Sequence, residues 1–171
     1  MTAFLRRAAP WLARRAENVA AAMLAAMFAA FLVQIAFRYL VGLPTGWTHE
    51  LSAMLWVWLV LWGAAFVVSE RDEIRFDIVT GAVGPRTRRV MALAASLGLV
   101  ALYGVSLPAV LDYIAFMKVE RTAYLKVRFD VLFSIYGVFV VAAIARHLWL
   151  GWRALRGDAP ATDATQATSG L

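Results

Sequence analysis

Hydrophobic residues gather along the chain in four long runs, and the short stretches between them carry nearly all of the charge. The runs cover residues 19–37, 51–68, 90–111 and 131–150. A helix rises about 1.5 Å per residue, so roughly 20 apolar residues cross a hydrocarbon layer about 30 Å thick. Each run meets that length. None alternates apolar and polar side chains with the period of two that a half-buried strand requires. The pattern predicts an all-α membrane protein with four transmembrane helices.

Two shorter periodic stretches flank these runs. Within residues 3–15, Phe4, Ala8, Trp11 and Leu12 share one helical face while Arg6, Arg7 and Arg14 lie elsewhere. That pattern suits a short amphipathic helix lying on the membrane surface. Phe76, Val79, Ala82 and Val83 recur in the same way, and this second surface helix is expected to stop at Gly84-Pro85. Small residues at helical spacing predict packing faces: Ala22, Ala26 and Ala29 in the first run, Ala94, Gly98 and Ala101 in the third. Gly104 and Pro108 predict a bend in the third helix. Residues 1–156 read as a single transmembrane domain. Residues 157–171, dominated by Ala, Thr, Asp and Gly, read as a disordered tail.

Composition strengthens the membrane reading. Hydrophobic residues make up 63% of the 171 and charged residues 16%, against about 45–50% and 25% in soluble domains. The net charge of +6 would suit a nucleic-acid partner if it formed a patch, but the basic residues sit at the edges of the apolar runs. No nucleic-acid partner is expected. The stretches before run one, between runs two and three, and from Arg146 onward hold twelve Lys and Arg, the other two connections five. The positive-inside rule therefore places both termini in the cytoplasm. The conflict lies in Lys118, Arg121, Lys126 and Arg128, which this orientation places outside. The first run is longer than the apolar core of a signal peptide, about 7–15 residues, and ends in Arg38-Tyr39, so it is expected to be retained.

The candidate chemistry is sparse. No Asp, Glu, Lys or Arg lies in the middle of any run: Gln34, Asp112 and Arg146 all fall near an end. A transporter that moves its own substrate normally needs such groups or broken helices facing a site. The two histidines, His49 and His147, open one run and close another, so about 30 Å separates them and no haem can use both. His49 and Ser52 share a helix face, but no orienting third group or oxyanion motif accompanies them. The absence of cysteine removes thiol and disulfide chemistry. No catalytic, cofactor-binding or metal-ligating residue is expected, and the chain does not read as an enzyme.

The most informative stretch runs through residues 33–77. It contains Phe37-Arg38-Tyr39-Leu40, then Trp47-Thr48-His49-Glu50-Leu51, then Leu61-Trp62-Gly63-Ala64-Ala65, then Ile74-Arg75-Phe76-Asp77. Four such motifs in order closely resemble the small membrane (Q, DctQ-like) subunit of tripartite ATP-independent periplasmic (TRAP) transporters. Two positions depart from the family pattern: His49 stands where a second acidic residue is common, and Glu73 where His often precedes Ile-Arg. The resemblance implies a multi-pass protein of the bacterial inner membrane, partnered by a large membrane subunit and a periplasmic substrate-binding protein. It implies binding-protein-dependent, cation-coupled uptake of an organic acid, with this chain bracing the large subunit. The residues singled out for structural or partner contact are Arg38, Trp47, Glu50, Arg75 and Asp77. Arg38 and Glu50 flank one short connection, so they are expected to pair with each other or to reach a partner. The competing reading is a membrane anchor subunit of a redox complex whose cofactors sit in its partners.

Overall fold

The computed structural model describes residues 2–43, 45–68 and 83–156, with side chains from Pro10 onward except that of Pro85. Four α-helices account for most of it: α1 Thr2–Ala36, α2 Gly46–Trp62, α3 Pro85–Phe116 and α4 Phe129–Arg156. The first two end in single π-helical turns, Phe37–Val41 and Gly63–Val67. Four segments are long and apolar enough to cross a membrane: Pro10–Val41, Gly46–Val67, Arg86–Phe116 and Phe129–Arg156. Each contains most or all of one sequence-predicted run. The second expected surface helix, apart from Val83, and the tail lie outside the described residues.

The stretch expected to form a separate surface helix is helical, but it is continuous with the first span through Pro10. No glycine or proline interrupts residues 11–18, and Asn18, a residue type that can cap a helix, lies inside the continuous helix instead. Pro85 opens α3 at its first turn, where its missing N–H and fixed φ cost nothing. Pro108 lies inside the same helix, which runs on through it. Gly42 closes the π turn of α1 with φ 71°, a conformation side chains disfavour, and the amide of Leu43 reaches back to Phe37 O at 3.3 Å.

The helices stand in a row in the order α1, α2, α4, α3. α1 packs on α2, α2 on α4 and α4 on α3, with no comparable packing between α1 and α3 or α4. The row stays open, so every helix keeps a wide face toward its surroundings. α4 supplies most of the core, through Ile135, Gly137, Val140, Ala143 and Ala154. Small residues set its spacing from α3. Gly137 lies under Leu111 and Ile114, each 3.7 Å from where a Cβ would stand, and Gly151 lies against Ser96.

The packing faces expected from the small residues are not the ones used. Ala16 and Ala30 are buried in α1, while Ala22, Ala26 and Ala29 are exposed. In α3, Ser96 is buried, while Ala94, Gly98 and Ala101 are exposed and nothing approaches Gly98. Two small-residue faces of one helix read alike in a sequence that lipid surrounds on either side, because lipid tails are as apolar as a neighbouring helix.

Candidate functional site: a latched hairpin and open helix faces

Between α3 and α4 the chain forms a tight hairpin. Phe129 N donates to Glu120 O at 3.1 Å and Thr122 N to Val127 O at 2.9 Å, with Arg121 and Arg128 as an antiparallel bridge pair. The buried Thr122 turns its hydroxyl oxygen to accept from Val127 N at 3.0 Å. Lys126 takes the left-handed conformation, φ 54°, that lets so short a turn close. Asp130 then opens α4: its carboxylate accepts from Val131 N at 2.9 Å and from the Arg128 guanidinium at 3.1 and 2.5 Å. A carboxylate in the first turn also meets the positive end of the helix dipole.

This hairpin is fastened to the start of α2. Glu50 Oε2 accepts from Tyr124 N at 2.8 Å and from Leu125 N at 3.3 Å. Two amides that would otherwise face the membrane boundary are thus held by a carboxylate, a stronger acceptor than a neutral oxygen. The ring of Tyr124 rests on Gly46, where a Cβ would stand 2.2 Å from it. Only glycine leaves that ring in place. Behind it, Thr48 is fully buried and donates its hydroxyl to Thr45 O at 2.7 Å. Glu50 Oε1 and Ser52 Oγ are buried with no hydrogen-bond partner among the described residues.

The sequence-predicted residues therefore separate. Glu50 is committed to the hairpin. Arg38 lies in the exposed π turn of α1 and makes no hydrogen bond or ion pair among the described residues, with Glu50 or otherwise. Trp47 opens α2 partly exposed. Arg75 and Asp77 lie outside the described residues. The short connection between α1 and α2 is strongly exposed for its hydrophobicity, with Tyr39 77% and Leu40 84% accessible.

Two tryptophans of α2, neither among the residues singled out for contact from the sequence, are polar ties. Trp62 donates its indole N–H to Ala16 O at 3.1 Å, joining α2 to α1, and Trp58 donates to Leu132 O at 3.0 Å, joining α2 to α4. The signal was present in the residue type, since a buried indole N–H needs an acceptor and hydrocarbon offers none. The sequence does not say which carbonyl is reached. The π turn after Trp62 leaves Ala64 O within 3.5 Å of the Arg146 guanidinium. Across α3 and α4, Arg89 donates to Leu155 O in the last turn of α4, a side-chain cap of the kind that satisfies terminal carbonyls.

The described residues contain no group of His, Asp and Glu suited to a metal ion. His49 lies in the first turn of α2, and His147, stacked on Tyr103 at 6.4 Å, lies near the far end of α4. Eighteen residues of helix, about 27 Å, separate His147 from the start of α4. What the arrangement offers is a rigid row of helices, one latched end, and open apolar faces on α1 and α3.

A family model described as "Tripartite ATP-independent periplasmic transporters, DctQ component" matches residues 27–157. No curated protein matches the chain.

Proposed function

The chain belongs to the DctQ component family of tripartite ATP-independent periplasmic transporters, and from that premise we propose that it braces a large membrane subunit during binding-protein-dependent, cation-coupled uptake of an organic acid. The observation that supports the bracing role is the open row. A self-contained bundle would close α1 onto α3, whereas here both edge helices present exposed small-residue stripes, Ala22-Ala26-Ala29 and Ala94-Gly98-Ala101. Such stripes let a neighbouring helix approach closely in lipid.

Movement of substrate belongs, on this reading, to the large subunit. Alternating access needs ionisable groups or broken helices near the bilayer midplane, and the apolar runs of this chain hold no Asp, Glu, Lys or Arg at their centres. The latch suits a static part: Glu50 fixes the α3–α4 hairpin to α2, and Trp58 and Trp62 fix α2 to both its neighbours. The proposed location is the bacterial inner membrane, with both termini cytoplasmic and the hairpin facing the periplasmic binding protein. Arg38, Trp47 and the exposed Tyr39 and Leu40 are proposed to meet the large subunit, and Arg75 and Asp77 to serve as partner contacts on the opposite side.

Co-purification tests the bracing role. Tryptophan in place of Ala26 or of Gly98 should weaken recovery of the large subunit with this chain, while Trp in place of an Ala on the already filled α4 core should instead unfold it. Undiminished complex with both edge variants would show that the stripes face lipid.

A further inference from the structure

We infer that α3, α4 and the hairpin between them form a binding site for one anionic phospholipid, with the phosphate held by the hairpin and an acyl chain held by the cleft beneath it. The site is argued from residues of this chain alone, and only its persistence in the complex with the large subunit rests on the proposed function. A cavity of about 460 Å³ opens between the two helices, lined by Ala109, Val110, Tyr113, Ile114, Phe133 and Tyr136, with Ser106 the lining residue farthest along α3 from the hairpin. Its volume falls within the range of ligand pockets, roughly 300–1,000 Å³. From Ser106 to Tyr113 it runs about 10 Å along α3, seven residues at about 1.5 Å each. A cleft of that length, lined by apolar and aromatic side chains, suits a flexible hydrocarbon tail.

The mouth of the cleft supplies the second half. Tyr113 and Phe133, rings 5.9 Å apart, stand below the point where α3 ends and α4 begins. Immediately beyond lie Lys118, Arg121 and Arg128, with Glu120 and Asp130 the carboxylates of the same stretch; Glu120, adjacent to the bridged Arg121, projects to the opposite side. Arg121 and Arg128 are the bridge pair, and directly opposed residues of an antiparallel pair project to the same side, where like charges repel. Asp130 neutralises Arg128 through the 2.5 Å ion pair, but Arg121 makes no side-chain hydrogen bond or ion pair among the described residues. A phosphate diester bound there would relieve the repulsion, and guanidinium geometry matches its oxygens. Asp112 does not interfere: at 100° per residue it lies about 130° round α3 from the centre of the cleft.

Native mass spectrometry of the full-length delipidated chain, titrated with phosphatidylglycerol and phosphatidylcholine of identical acyl chains, tests the site. The expected result is one retained phosphatidylglycerol, favoured over phosphatidylcholine about five-fold or more, the factor one cation near a headgroup contributes. Arg121→Gln should bring the two lipids close to parity. Ala109→Trp, an exposed position filled by a bulky ring, should abolish the tight adduct of either lipid, while Ala22→Trp on α1 should leave it intact; circular dichroism checks that all three fold. The adduct should persist in the complex with the large subunit. Equal retention of both lipids by the unaltered chain, an adduct indifferent to Ala109→Trp, or its loss when the complex forms would each overturn the site.

Discussion

The carboxylate of Glu50 reaches the backbone of Tyr124, 74 residues further along the chain, at 2.8 Å. This contact joins two connections that share no sequence, the start of α2 and the hairpin before α4, and the 3.3 Å bond to Leu125 makes it two-pronged. It is possible because α2 and α4, not α1 and α3, are the central neighbours of the row. Removing the acceptor leaves two amides unsatisfied at the membrane boundary. Glu50→Ala should therefore lower the unfolding midpoint of the chain. Thermal unfolding in detergent checks this, with Asp112→Ala as a comparison, since Asp112 is exposed and bonds to nothing described. An unchanged midpoint for Glu50→Ala would show that the hairpin holds itself in place.

The two indole ties act on different helix pairs, so their effects should add. Trp62→Phe removes the bond to Ala16 O and Trp58→Phe the bond to Leu132 O, while each keeps an aromatic ring. Each change should cost about 1 kcal/mol, and the double variant about the sum, as independent contacts do. The measurement is unfolding of the four single, double and unaltered chains in one detergent. A double variant no worse than either single would mean that α1–α2 and α2–α4 packing are one coupled unit.

Much of the architecture was legible in the sequence, for a physical reason. Membrane thickness imposes a length on every apolar run, and the four runs match the four spans. Gly84-Pro85 was legible as a break in the chain, and Pro85 stands in the first turn of α3. The partners of Glu50, Trp58 and Trp62 were not legible. Proximity along the chain suggested Arg38 for Glu50, but the side-by-side order of the helices decides which connections meet, and apolar runs in lipid encode little of that order. The same indifference hid which small-residue face was buried: Ala30, not Ala29, and Ser96, not Gly98. Residues 3–15 read as a separate surface helix because amphipathicity reports a face, and a helix continuous with a span has the same periodicity.

Orientation can be checked without a partner. Reporter fusions after Gly42, Gly84, Tyr124 and Arg156 should alternate periplasm, cytoplasm, periplasm, cytoplasm, following the twelve-to-five distribution of basic residues. Neutralising Arg6, Arg7, Arg14 and Arg15 together should raise the fraction inserted the other way, because the basic asymmetry falls from twelve-to-five to eight-to-five. A periplasmic signal after Arg156 in the unaltered chain would contradict the proposed topology.

Whether this chain supports a transporter rather than transporting by itself is tested most directly by reconstitution. Proteoliposomes containing only this chain should take up no organic acid under an inward sodium gradient. Proteoliposomes containing the chain with its large membrane subunit, supplied with substrate-loaded binding protein, should accumulate it, and omitting this chain should abolish or sharply reduce that uptake. Uptake by the isolated chain, or full uptake by the large subunit and binding protein without it, would contradict the account.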